Sequence, residues 1–117
     1  MIVYPYLVCS TKKIYKKYRV INSVRLQSYL KIKNKRQLIN LLIKDKNDLQ
    51  DTAIGIYPKI KKIIDFINFQ KGCYFSRITG TGSACFGIFS NKTHAVNALK
   101  SIKLKFPKYW CILSKTI

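Results

Sequence analysis

The sequence predicts an α+β fold, in which helices lie on one face of a small and mostly antiparallel sheet. A short apolar segment opens the chain at residues 2–5, and several amphipathic helical patterns follow. Two alternating apolar segments, 73–78 and 85–89, then stand on either side of a glycine-rich loop. A last helical pattern and an apolar segment at 109–113 complete the order. Strands interspersed with helices in this way, without an internal repeat, indicate helices packed on one sheet.

Length and composition favour a single domain. A chain of 117 residues, 48% of them hydrophobic, can bury one modest core, so we expect one domain over 1–117. No apolar run approaches the roughly 18 residues that cross a bilayer. The first nine residues lack the basic start and the cleavage site of a secretory signal. We therefore expect a cytoplasmic protein that does not associate with membranes.

The cysteines and the histidine argue against a metal centre. Cys9, Cys73, Cys85 and Cys111 lie in apolar segments and form no Cys-x-x-Cys pair. This pattern favours buried, reduced thiols. His94 is the only histidine, so a metal site would have almost no ligands, and none is predicted.

The charge of the chain admits more than one interpretation. Twenty-three Lys and Arg residues face four acidic ones, which gives a formal net charge of +19. Such a charge is typical of proteins that bind nucleic acid or an anionic membrane surface. Only four of the basic residues are arginine, however, and the lysines are scattered along the chain. Since Lys, Ile, Asn and Tyr are all abundant, we favour compositional drift and keep a basic nucleic-acid-binding module as the alternative.

Local signals place the ends of several elements in the first half. Pro5 has no backbone N–H, so it ends the first strand and suits an edge of the sheet. Ser10 or Thr11 can cap a short helix, and Asn47 is predicted to cap another. Residues 19–34 show the least periodicity and are predicted to form a loop with a helical turn.

The second half has clearer helical signals. Pro58 ends one helix and can serve as the first residue of the next. Ser90 or Asn91 is predicted to cap the last helix. Four isoleucines at i, i+3, i+4 and i+7 give the helix after Pro58 a buried stripe. They are Ile60, Ile63, Ile64 and Ile67.

The loop between the two alternating segments is the strongest candidate site. It contains Thr79, Gly80, Thr81, Gly82 and Ser83. Glycine adopts positive φ readily and lets backbone N–H groups approach a ligand, while the Thr and Ser hydroxyls add donors. Such a loop can cradle a phosphate, or it can be a tight turn with no ligand. The loop by itself leaves both interpretations open.

Other polar residues are weaker candidates. Asp45, Asp48 and Asp51 have a three-residue spacing and would bind Mg²⁺ if they shared a face, but first-turn acids near a helix start are the simpler interpretation. His94 has no carboxylate or thiol at a spacing that indicates a catalytic triad. We therefore expect all four side chains to be structural or solvated.

A group of aromatic residues near the end of the chain also has two interpretations. Phe106, Tyr109 and Trp110 would stack on bases in a protein that binds single-stranded nucleic acid. An aromatic plug in the core of the sheet is the simpler expectation.

Several segments, read in order, resemble the C-terminal part of the GHMP small-molecule kinases, and most closely those of the non-mevalonate isoprenoid route. The most specific segment is 76–86, Ser-Arg-Ile-Thr-Gly-Thr-Gly-Ser-Ala-Cys-Phe, which is similar to the third motif of that family. The opening Val-Tyr-Pro at 3–5, the Asn-Asp-Leu at 47–49 and the Tyr-Pro-Lys-Ile at 57–60 also match. Tyr6 departs from the pattern, because the family has glycine at that position.

The resemblance implies a fold and a site. It implies a ferredoxin-like lobe that lies beside a separate ATP-binding lobe. The third-motif loop of the family faces the cleft between the lobes, which places Thr79, Gly80, Thr81, Gly82 and Ser83 beside the nucleotide and the phosphoryl acceptor. No catalytic residue and no metal ligand is implied within these residues.

The resemblance also implies what a working kinase needs beyond this sequence. The N-terminal lobe of the family carries a lysine, a Pro-x-x-x-Gly-Leu-Gly-Ser-Ser-Ala phosphate loop and a catalytic aspartate, and none of these occurs here. We therefore expect a truncated or remnant kinase that is inactive alone. ATP and Mg²⁺ would bind only with a separate N-terminal half, and the apolar surface left without that half would favour self-association. A decaying product without activity is a further alternative.

Overall fold

The computed structural model describes residues 1–18 and 26–116, and the prediction for 19–25 lies outside them. The elements in chain order are β1 (Ile2–Tyr4), α1 (Thr11–Lys17), a 3₁₀ helix (Leu26–Lys31), α2 (Lys35–Lys44), α3 (Gln50–Ile56), α4 (Lys59–Asn68), β2 (Cys73–Ile78), β3 (Cys85–Phe89), α5 (Lys92–Lys105) and β4 (Trp110–Ile112). The 3₁₀ helix is the helical turn expected near the predicted loop.

The four strands form one antiparallel sheet in the order β2-β3-β1-β4. Helices connect β1 to β2 and β3 to β4, which is the ferredoxin-like arrangement. This confirms the α+β prediction. The prediction that the first strand is an edge is wrong, because β1 pairs with both β3 and β4. Pro5 follows the last residue of β1, so its missing N–H interrupts no ladder bond.

One face of the sheet packs against helices and forms the core. Val3 and Cys85 lie opposite each other in register and are fully buried on this face. The predicted isoleucine stripe of α4 is confirmed, since all four side chains are buried. A Cβ at Gly87 would lie 2.4 Å from Cγ2 of Ile67, so α4 rests directly on the backbone of β3. Each buried isoleucine stabilises the fold by about 1.5–3 kcal/mol.

Side chains cap three of the helices. Oδ1 of Asn34 accepts from the N–H of Gln37 at the start of α2. The hydroxyl of Ser10 accepts from the N–H of Lys13 at the start of α1, and Oδ1 of Asn91 accepts from the N–H of His94 at the start of α5. Both caps were predicted. The prediction for Asn47 is wrong, because α3 begins at Gln50 and its N-cap residue is Leu49, which makes no side-chain cap bond.

The other face of the sheet carries an apolar surface that we call the open face. It is formed by Ile2, Tyr4, Phe86, Trp110 and Ile112, which the strand register places on the side opposite Val3. Trp110 is 46% exposed and Ile112 is 43% exposed. The predicted aromatic plug is therefore wrong for Trp110, because its strand position turns the indole away from the helices.

The other two aromatic residues of that prediction do pack against the core. Phe106 and Tyr109 are stacked, with ring centroids 4.9 Å apart, and both contact the buried cluster. Phe66 of α4 meets Phe106 edge-on at 5.5 Å. These contacts tie the end of α5 to α4.

The buried thiol of Cys85 should make the fold less stable at alkaline pH. Burial raises the pKa of the Cys85 thiol to about 12, against an unfolded value near 9. A raised folded pKa stabilises the protein fully below pH 9, and this contribution is lost as the pH rises toward 12. We expect the free energy of unfolding in urea to fall by about 1 kcal/mol for Cys85 between pH 9 and 10, and to stay flat between pH 7 and 8.

A variant without this thiol is the control for the alkaline effect. Cys85→Ala should lower the free energy of unfolding at pH 7 because it leaves a cavity. It should also make the decline above pH 9 shallower by the share of Cys85, while Cys73, whose pKa is raised by burial to about 11, keeps its own share. An identical alkaline decline in wild type and variant would contradict the assignment.

Candidate functional site: the glycine-rich loop

The glycine-rich loop connects β2 to β3 at one end of the sheet. Two backbone bonds close it, from the N–H of Thr79 to the carbonyl oxygen of Ala84 and from the N–H of Gly82 to that of Thr79, each 2.9 Å. Gly80 has φ +54° and Gly82 has φ +88°, which are conformations that favour glycine. The predicted strand–loop–strand arrangement is therefore present.

The two glycines face different surroundings. A Cβ at Gly82 would lie 3.3 Å from Cδ1 of Ile60 and 3.4 Å from Sγ of Cys9, so this residue packs against the protein. A Cβ at Gly80 would have nothing within 4 Å. Gly80 therefore borders open space, and a ligand can approach its backbone.

A turn just before α3 holds the β2 side of the loop. Nδ2 of Asn47 donates to the carbonyl oxygens of Ile78, at 3.2 Å, and Gly80, at 2.8 Å. Oδ1 of Asn47 accepts from the N–H of Leu49 at 2.9 Å. Oε1 of Gln50 accepts from the N–H of Ile78 at 3.0 Å. The N–H and the carbonyl oxygen of Ile78, the last residue of β2, are thus both paired by side chains of this turn.

The segment between β1 and α1 holds the other side of the loop. The hydroxyl of Ser83 donates to the carbonyl oxygen of Leu7. The hydroxyls of Thr11 and Thr81 lie 3.2 Å apart at the surface. In the same segment, the N–H of Ser10 donates to the hydroxyl of Tyr57 at 2.9 Å, which links it to the end of α3.

The five predicted site residues divide into two groups. Thr79 and Gly80 are exposed and Thr81 is half-buried, so these three can touch a ligand. Gly82 packs inward, and Ser83 is only 3% exposed with its hydroxyl engaged by Leu7. The five residues are consecutive in sequence and were predicted as one site, but they differ in exposure and in the groups that they contact.

Two of the four acidic residues make side-chain contacts, and the buried Oδ1 of Asp48 has no hydrogen-bond partner among residues 1–18 and 26–116. Asp45 accepts a hydrogen bond from the hydroxyl of Tyr29, which raises the pKa of that phenol. Asp51 lies in the first turn of α3, and Asp65 forms an ion pair with Lys61. In the part of the chain that the structure describes, no group of three or more His, Cys, Asp or Glu side chains can hold a metal ion.

Two residues at the site carry contacts that the sequence did not predict. Asn47 was predicted as a cap, and its Asx turn with Leu49 explains why the local signal was similar. The guanidinium of Arg77 donates to the carbonyl oxygens of Leu42 and Ile43 in α2 and lies 4.4 Å from the ring centroid of Phe75. Burial lowers the pKa of Arg77. Only the preference of arginine for carbonyl groups near a helix end was available as a signal.

The class of protein follows from the fold, the loop and a family comparison. A family model described as "GHMP kinases C terminal" matches residues 28–108, which include the glycine-rich loop. The chain belongs to this family.

The relatives within the family are more specific. A protein from Wolbachia sp. subsp. Drosophila simulans, strain wRi, named 4-diphosphocytidyl-2-C-methyl-D-erythritol kinase, is 40% identical over 75 residues, which are 64% of this chain and 26% of that protein. The kinase of the same name from Pelagibacter ubique, strain HTCC1062, is 33% identical over 117 residues, which are 100% of this chain and 41% of that protein. The chain thus spans between a quarter and two-fifths of the length of these relatives.

A solved structure supports the fold. The crystal structure of 4-(cytidine 5'-diphospho)-2C-methyl-D-erythritol kinase matches with a TM-score of 0.63 and 22% identity, over 93% of this chain and 40% of that chain. The expected resemblance to the C-terminal part of the GHMP small-molecule kinases is confirmed by the family model and the relatives, and the solved structure supports the fold. Within the described residues, no helix is both long and apolar enough to cross a membrane.

Two buried serines give a matched test of the site's packing. Ser83 is 3% exposed and donates to Leu7, whereas Ser76 is 5% exposed and its hydroxyl has no partner among residues 1–18 and 26–116. We expect Ser83→Ala to lower the free energy of unfolding by about 1 kcal/mol and Ser76→Ala to leave it unchanged or raise it by up to about 1 kcal/mol. Urea unfolding measures both, and the reverse order would contradict the assigned contacts.

Proposed function

We propose that these residues form the C-terminal part of a 4-diphosphocytidyl-2-C-methyl-D-erythritol kinase. In this proposal the glycine-rich loop is one wall of the cleft in which the γ-phosphate of ATP passes to a hydroxyl of the substrate. The observation that carries the proposal is the open space at Gly80 within a loop that the family shares. The names of the relatives supply the substrate class.

The proposed role of the loop is to stabilise charge on the transferring group. A phosphoryl group spreads negative charge over its oxygens in the transition state, and fixed N–H and O–H donors stabilise that charge without reorganising. Gly80 and Thr81 offer backbone groups, and Thr79, Thr81 and Thr11 offer hydroxyls, on elements tied down by the contacts above. The loop therefore suits positioning and charge stabilisation, and no nucleophile or base is assigned to it.

The proposal includes a requirement for an N-terminal lobe. Phosphoryl transfer needs a cradle for the β- and γ-phosphates, a metal ion and an oriented nucleophile. The sequence contains no loop of the Gly-Leu-Gly-Ser-Ser-Ala type. We therefore propose that the 117 residues are inactive by themselves, and that ATP and Mg²⁺ bind only together with an N-terminal lobe.

A chimera tests this function. These residues replace the matching 41% of the Pelagibacter kinase, and phosphorylation is followed by a coupled assay. We expect turnover by the chimera and none by the 117 residues alone. Gly80→Ala in the chimera should lower kcat at least tenfold, since its Cβ enters the cleft, at a conformational cost of about 1–2 kcal/mol.

Gly55 offers the matched control for the chimera. It lies exposed in α3, and a Cβ there would also meet nothing within 4 Å, so Gly55→Ala should leave turnover unchanged. Turnover by the 117 residues alone would contradict the required lobe. A folded but inactive chimera would instead favour a decaying product, and full activity of Gly80→Ala would remove the loop from the site.

We also propose that the chain, when isolated, associates with a second copy through the open face. The exposed indole of Trp110 and side chain of Ile112 favour this, while a net charge of +19 on each copy opposes it. Because salt screens the repulsion and leaves the apolar attraction, the mass measured by light scattering should rise between 50 and 500 mM NaCl. Trp110→Ser should reduce the rise, and Phe69→Ser, at an exposed aromatic outside the open face, should not.

The same salt series separates this proposal from the nucleic-acid alternative. Binding of RNA or DNA releases counterions, so it weakens steeply as the salt concentration rises. Association through the open face instead strengthens as the salt concentration rises. A monomer at every salt concentration would contradict association through the open face. Tight RNA binding near 150 mM salt would support the basic module instead.

A further inference from the structure

The amide of Asn47 uses all of its hydrogen-bonding groups on the loop and on its own turn. Its two N–H bonds go to Ile78 and Gly80, and its oxygen accepts from Leu49. The capping residues Asn34 and Asn91 differ, because among the described residues each uses only its Oδ1, which accepts from one backbone N–H. Aspartate could replace those two without losing a bond, and it could not replace Asn47.

The bond to Gly80 fixes the direction of the next N–H group. In a trans peptide the carbonyl and the N–H point in opposite directions, and the cis bond of this loop lies further on, between Gly82 and Ser83. Because the carbonyl of Gly80 points toward Asn47, the N–H of Thr81 points away from α3. The backbone bonds that close the loop are donated by Thr79 and Gly82, and none is donated by Thr81 within the described residues.

We propose that Asn47 is a positioning residue for the glycine-rich loop. By binding the carbonyl oxygen of Gly80, Asn47 turns the N–H of Thr81 outward, where this N–H donates to a phosphate oxygen. Asn47 touches no ligand and acts through the orientation of the Gly80–Thr81 peptide. The positioning role is inferred from the contacts of Asn47, whereas the choice of phosphate as the ligand rests on the proposed function. Gln50 supports the same geometry, since it accepts from the N–H of Ile78 and keeps the end of β2 in place.

The test compares three variants of the ¹⁵N-labelled chain. Asn47→Asp keeps the acceptor for Leu49 but removes both donors. Asn47→Ser also keeps an acceptor for Leu49 and removes both amide N–H donors, without a change of charge. Its single O–H lies on a shorter side chain and cannot pair both carbonyl oxygens, so this variant serves if the aspartate variant fails to fold. Asn91→Asp makes the same charge change at a cap where only the acceptor is used, so it is the matched control.

The first readout is the residual dipolar coupling of the Thr81 N–H bond, which reports its orientation relative to the sheet. We expect the coupling to change in both Asn47 variants and to stay at the wild-type value in Asn91→Asp. Couplings in β2 and β3 should remain unchanged in all three. An unchanged Thr81 coupling in a folded Asn47 variant would overturn the positioning role, whatever the loop binds.

The second readout is binding of inorganic tripolyphosphate at 150 mM NaCl to the chimera described above, which supplies the N-terminal lobe and carries the same substitutions. Binding is followed by the amide signals of Gly80 and Thr81. We expect affinity at the loop to fall at least fivefold in the Asn47 variants and to stay within twofold in Asn91→Asp. Equal affinity in all variants would overturn the inference that the orientation serves a phosphate. If the amide signals of the wild-type loop do not respond to tripolyphosphate, while the N–H of Thr81 still reorients in Asn47→Asp, phosphate binding would be overturned and the positioning role would remain supported.

Discussion

The structure depends on the packing of α4 against the β2–β3 hairpin. Ile67 occupies the space that a Cβ of Gly87 would need, so the helix sits closer to the strand than any other residue there would allow. The isoleucine stripe buries its apolar surface at this contact, and the buried Ile78 and Cys85 of the hairpin belong to the same cluster. Because Ile78 and Cys85 are the last paired residues before the loop, the packing of the helix fixes both ends of the loop.

The free edge of β2 explains why the turn at Asn47 matters beyond the loop. β2 is an edge strand, and an edge strand exposes N–H and C=O groups that can pair with other chains. At Ile78 the side chains of Gln50 and Asn47 take the places of a neighbouring strand's carbonyl and N–H. One turn therefore closes the sheet edge and sets the root of the loop, so the order of the site is coupled to the order of the fold.

The parts of the fold that depend on local sequence were predictable. The isoleucine stripe, the caps at Ser10 and Asn91 and the hairpin around the two glycines all follow from spacing within one or two turns. The predictions that were wrong concern features that depend on contacts between segments distant in sequence. Whether β1 is an edge depends on β4, which lies about a hundred residues away in sequence, and the side that Trp110 faces depends on its register with Tyr4. Neither can be read from local periodicity.

The residue after Pro5 shows how a departure from the family pattern can still fit the geometry. Tyr6 has φ +54°, the conformation that a glycine would adopt without strain, and its ring packs edge-on against Tyr4 with centroids 5.0 Å apart. An aromatic residue in this conformation costs of order 1–2 kcal/mol. The sequence alone showed that glycine was missing, but the pairing of the rings and the retained backbone path are visible only in the structure.

The loop carries two requirements that the same residue type satisfies for different reasons. At Gly82 the positive φ favours glycine, and a Cβ there would crowd Cδ1 of Ile60 at 3.3 Å, so the fold alone explains its presence. At Gly80 the surroundings are open, and asparagine or aspartate would tolerate the left-handed conformation. Only glycine, however, meets that conformation and also leaves the space beside the loop free for a ligand. The glycine at position 80 is therefore the residue at which the demands of the fold and of a binding site can be told apart.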